Sequence, residues 1–115
     1  MKYVFIPNGT EMINGISIDR RQRFFNIVEG VLNATQLKAV EAIEIAGWWN
    51  DKIVAAKNQE SVRFLSLEDA HYQKLKDILF NFGGYNGLAA VETLMAFQNA
   101  VDRVNEELPQ PTEPA

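Results

Sequence analysis

The 115-residue chain has no cysteine, one histidine and four prolines, three of which fall within 109–115. Without cysteine there is no disulfide, no thiolate nucleophile and no cysteine-ligated zinc or iron–sulfur site. One histidine, His71, leaves a zinc site to be completed by carboxylates alone. There is no long apolar run. The first apolar stretch, Tyr3-Val4-Phe5-Ile6, stops at Pro7 and is too short for a signal-peptide core. A membrane span needs about 18 or more apolar residues, and no segment offers them. Basic residues are few: 11 Lys and Arg against 15 Asp and Glu give a net charge of −4. An acidic chain repels a phosphate backbone unless its cations cluster.

What is present suits one domain. A hydrophobic fraction of 47% with seven Phe, two Trp and three Tyr can fill a core without metal or disulfide staples. The expected domain spans 1–108, followed by a flexible Pro-rich tail over 109–115 that has little to bury.

Apolar periodicity and turn residues set out the elements. Lys2–Ile6 reads as a strand, and Asn14-Gly15 between Met12-Ile13 and Ile16-Ser17-Ile18 reads as a hairpin turn. Asp19 followed by Gln22 marks a helix start, and Phe24, Ile27, Val28 and Val31 share one face of a helix over Arg20–Leu32. Its first-turn arginines oppose the helix dipole, which suggests an acidic neighbour.

Asn33 with Gln36 marks a second start, for a helix from Thr35 to about Ala56. Leu37, Val40, Ile45 and Trp48 form its broad apolar face, while Ile43 and Val54 fall off it. A helix apolar on several sides is expected to be covered on several sides. Gly47 marks a bend or a close approach.

A second strand is expected over Val62–Leu65. Ser66 and Asp69 have the spacing of a reciprocal cap, with Leu65 and Ala70 as a staple. The helix from Leu67 ends at Gly83-Gly84. A last helix from Asn86 or Gly87 to about Glu107 carries Ala90, Leu94, Phe97, Val101, Val104 and Leu108 as a heptad-like seam, read as core. The sum is an α+β fold: about four helices packed on one small N-terminal and central sheet.

Chemistry is sparse. His71 with Glu68 one turn away reads as a boundary histidine. Glu41 and Glu44 lack the Glu-x-x-His of a di-iron bundle. Gly83-Gly84-Tyr85-Asn86-Gly87 lacks the Lys-Ser/Thr of a phosphate loop, and there is no Gly-x-Ser-x-Gly. The expectation is therefore a non-enzymatic protein with no cofactor, no metal and no membrane partner. Adjacent aromatics, Trp48-Trp49 and Phe24-Phe25, exceed what one helical face hides, so Trp48, Trp49 and Phe25 are candidates for contact with a protein partner or another copy of the chain. The alternative is a small regulator binding nucleic acid or a host protein through Arg20, Arg21 and Arg23.

The segment Phe64-Leu65-Ser66-Leu67-Glu68-Asp69-Ala70-His71-Tyr72, with Leu75-Lys76, resembles small uncharacterised proteins encoded in tailed-phage and prophage structural gene clusters. The resemblance covers roughly Thr35 to Val104. It implies a role accessory to virion assembly, in the host cytoplasm or on the virion, and it assigns no catalytic residue.

Overall fold

The computed structural model describes residues 1–103. The fold is α+β. Strand β1 (Lys2–Phe5) pairs antiparallel with β4 (Phe64–Leu67), and β2 (Thr10–Ile13) pairs antiparallel with β3 (Ile16–Asp19). Four helices complete it: α1 (Arg20–Ala34), α2 (Ala39–Trp49), α3 (Asp69–Asn81) and α4 (Val91–Gln98). The helical path of α2 continues as a π-helical stretch, Asn50–Val54, and a last turn, Ala55–Lys57.

The strands form two separate two-stranded sheets, not the one sheet expected. The hairpin turn has Asn14 and Gly15 at positive φ, 52° and 80°, which the two-residue connection requires. The tight turn pairs Ile13 with Ile16 and Thr10 with Asp19, and then the chain enters α1. β1 meets β4 instead because Val4 opposite Leu65 and Lys2 opposite Leu67 bury Val4, Leu65 and Leu67 on one face.

That pairing also corrects the cap. Ser66 lies inside β4, opposite Tyr3, so Asp69 begins α3 with no side-chain cap, and its carboxylate meets the amino group of Met1 at 2.8 Å. Ala70 is exposed and forms no staple. The start expected at Asn33 is also displaced. α1 runs on to Ala34, and Thr35 closes it with its hydroxyl donating to the Val31 carbonyl at 2.7 Å. α2 starts at Ala39, where Glu41 accepts from the Lys38 amide. At the other end of α1, Asp19 caps as expected by accepting from the Gln22 amide at 3.1 Å.

The last helix is shorter than expected. It ends at Gln98, and Val101 instead exchanges two backbone hydrogen bonds with Tyr3, beside β1. Of the seam, Ala90 and Phe97 are buried and Leu94 and Val101 partly so. Val104, Leu108 and the tail over 109–115 lie outside the described residues.

The core draws on every helix and on the β1–β4 pair. Val4, Phe24, Phe25, Val28, Ile53, Leu65, Leu67, Leu75, Leu79 and Phe97 are each 0–1% exposed. The β2–β3 hairpin contributes nothing to it: every residue of β2 is exposed, and in β3 only Ile18 is partly covered.

Candidate functional site

The aromatic candidates divide on inspection of their surroundings. Phe25 is 1% exposed and edge-on to Phe24, with ring centres 5.2 Å apart, so it is a core residue. Trp48 is 7% exposed and stacks on His71 at 4.5 Å with 14° between the planes. Trp49, tilted against Trp48, is partly covered and packs at the edge of the core. The three therefore do not converge on one open patch. Two adjacent helical residues point about 100° apart, and here Trp48 enters the core against His71 while Trp49 stays at its edge. His71 Nδ1 and Trp48 Nε1 are both buried and form no hydrogen bond among the described residues.

The arginines of α1 have partners within the chain. Arg20 donates from Nε to Glu92 at 2.9 Å, again from a terminal nitrogen to the same carboxylate, and to the Asn8 carbonyl at 2.9 Å. Arg23 bridges Glu11 at 2.8 Å and Glu92 at 3.1 Å. Burial alone pushes the Glu92 carboxyl up, but the hydrogen bonds from Arg20 and Arg23 outweigh it and hold the group below its usual value. Glu92 is thus the acidic neighbour that the first turn of α1 requires.

Arg21 does different work. It donates to the carbonyls of Val62 and Ala56, both at 2.6 Å, and of Gln59 at 2.8 Å, and its guanidinium lies 5.4 Å from the Phe25 ring centre. The last turn of a helix leaves carbonyls without intrahelical partners and carries partial negative charge. Arg21 satisfies those at the end of the α2 path and ties the chain leading into β4. Arg21→Ala is expected to lower the unfolding free energy by about 2–3 kcal/mol. Arg21→Lys should recover less than half of that, because a compact ammonium lacks the span of the two guanidinium nitrogens that reach the three carbonyls. Urea denaturation checks this, and a loss under about 0.5 kcal/mol for Arg21→Ala would contradict the assignment.

The carboxylates of α2 are likewise structural or solvated. Glu41 pairs with Lys74 at 3.0 Å, and Glu44 is exposed. No group of three or more His, Asp or Glu that could hold a metal occurs among the described residues. No described helix is long and apolar enough to cross a membrane.

What the sequence reading missed is open apolar surface. The hairpin exposes Met12 at 66%, Ile13 at 42% and Ile16 at 62%. Facing it, the entry to α4 exposes Leu88 at 83%, and Val91 and Met95 follow on the same side one and two turns on. Between the two runs a groove of about 690 Å³, with Ile13 on one wall, Leu88 and Ala89 on the other, and the Arg20–Glu92–Arg23 cluster as its floor. The only sequence signal was the hairpin's own composition: apolar residues fall on both of its faces, Met12 on one and Ile13, Ile16 and Ile18 on the other. A second uncovered surface lies on α2, where Val40 and Ile43 are 76% and 73% exposed. Val40 was expected to face the core.

No protein-family model matches the chain, and no curated protein or solved structure matches it either.

Proposed function

We propose that the chain is a non-enzymatic interaction protein that binds another protein across the hairpin and the entry to α4. The observation that carries this reading is the hairpin itself. A lone two-stranded hairpin is marginally stable in water, and apolar surface left open on it is unfavourable. Here Met12, Ile13 and Ile16 remain open, and Ile13 stands opposite Leu88 across a groove. A protein that inserts an apolar ridge between them gains burial on both walls. The ion cluster below is neutral in sum, two arginines against two glutamates, and holds the floor rigid without attracting a charged polymer. The partners that Arg20, Arg21 and Arg23 have within the chain weigh against the alternative, a small regulator that binds nucleic acid or a host protein through them.

The setting we propose, assembly of a tailed-phage or prophage virion, rests on the resemblance of the segment around Phe64–Lys76. Genes for portal, head or tail proteins beside this one would support it, and their absence would remove it. Binding is tested with Ile13→Asp combined with Leu88→Asp, produced in the source cells from the native locus. The expected result is loss of a defined protein partner, with a thermal midpoint within about 2 °C of the parent. Retention of that partner, or a fall of about 10 °C in the midpoint, would show that these residues serve the fold instead.

A further inference from the structure

α2 has one face that no other described residue covers. Of its eleven residues, Ile45 and Trp48 are buried and Glu41 and Trp49 are partly covered; the other seven are exposed. Taking about 100° per residue, Ala39, Val40, Ile43, Ala46 and Gly47 lie on the outward side. That strip has no charge. Glu44 sits about 100° round from Ile43, at the strip's border. Exposed apolar surface of this kind marks a site of association.

Two features of the strip point to what covers it. The first is size. Its bulky residues, Val40 and Ile43, come before its small pair, Ala46 and Gly47, with only Ala39 ahead of them. A helix docked antiparallel with the same sequence sets bulk against space at both ends. Among the described residues nothing requires glycine at 47: a Cβ there meets nothing within 4 Å, and its φ is not positive. A glycine inside a helix costs about 1 kcal/mol relative to alanine, so close approach by a second helix is a physical reason for it.

The second feature is charge. Lys38 stands just before the strip and Asp51 just after it; both are exposed, and neither is in an ion pair among the described residues. Antiparallel docking brings each Lys38 to the level of the other copy's Asp51, within about one helical turn. A two-fold axis makes that contact twice. Parallel docking would instead set Lys38 beside Lys38 and Asp51 beside Asp51.

We propose that a second copy of this chain docks on the outward face of α2 with its own α2 antiparallel across a two-fold axis, Val40 lying over the partner's Gly47. Two-fold dimers are the commonest oligomers, and they require one self-complementary patch. The patch is a single helix face about 16 Å long, smaller than the ~800 Å² per partner of standard interfaces, so the dimer is weak and forms at high local concentration. No residue of the strip lines the hairpin groove, and a dimer then presents two partner sites.

Sedimentation equilibrium of the full chain from about 1 to 500 μM tests this. The weight-average mass should climb from the monomer towards twice that value. Val40→Glu should weaken association at least about tenfold. Gly47→Leu should do the same while holding or raising the thermal midpoint, which separates loss of docking from loss of folding. Lys38→Glu and Asp51→Lys should each weaken the dimer, and the double charge swap should restore it. A mass that stays monomeric at about 500 μM would overturn the proposal, as would a dimer indifferent to Gly47→Leu. A double swap no better than either single change would overturn the antiparallel arrangement. A dimer abolished by Ile13→Asp but not by Gly47→Leu would assign self-association to the hairpin and overturn it here.

Discussion

Phe97→Ala is expected to lower the unfolding free energy by about 3–5 kcal/mol. Phe97 is fully buried and lies between two aromatic rings, stacked with Phe24 at 6.0 Å and with Tyr72 at 6.3 Å. Its own backbone carbonyl accepts from the Tyr72 hydroxyl at 2.5 Å, so the same residue joins α1, α3 and α4 through its ring and its main chain. Removing the ring loses its transfer free energy and leaves a cavity whose walls are held by three elements and cannot collapse. The comparison variant is Met95→Ala, two residues earlier and 44% exposed, which should change stability by under about 1 kcal/mol. Urea denaturation of both decides the matter. A loss below about 0.5 kcal/mol for Phe97→Ala, with a changed sedimentation coefficient, would move the residue from core to interface.

Trp48→Ala is expected to cost about 3–5 kcal/mol as well, and Trp48→Phe much less, about 1.5 kcal/mol or under. Trp48 supplies α2 with its largest buried side chain and covers one face of the His71 ring on α3. Alanine removes both contacts. Phenylalanine keeps an aromatic face against His71 and also removes the buried indole N–H, which has no hydrogen-bond partner among the described residues and so no favourable bond to lose. The order of the two variants is the informative quantity. Equal losses would mean that the fused ring system peculiar to indole, and not an aromatic face as such, carries the contribution of Trp48.

Local signals in the sequence were sufficient for much of the fold. Asn14-Gly15 located the hairpin, Asp19 and Gln22 the start of α1, and the spacing of Phe24, Val28 and Val31 its buried face. Each depends on residues within a few positions of one another. Features decided by distant residues were not legible. Ser66 has the composition of a cap, but Tyr3, far away in the chain, claims its backbone for a strand. Val101 likewise leaves its helix to meet Tyr3. Arg20 announced the need for a carboxylate, and nothing near it in sequence named Glu92, 72 positions on.

The candidate surfaces show the same division. Trp48, Trp49 and Phe25 drew attention because large aromatics often anchor interfaces, yet a domain of this size also needs them to fill its core. Val40 and Ile43 drew less, because periodicity identifies apolar faces without saying which of them another element will cover. The open surfaces are made by smaller aliphatic residues at positions where the fold simply provides no neighbour.

We propose the hairpin and the entry to α4 as a surface for another protein. It is tested most directly by a photoactivatable side chain placed at Ile16 and, in a second version, at Gln73, an exposed residue of α3 remote from the groove. Irradiation in the source cells should give one discrete adduct with a different protein from position 16, abolished by Leu88→Asp, and none from position 73. Adducts of equal yield from both positions, or none from position 16 under conditions that label a known interface elsewhere in the cell, would contradict it.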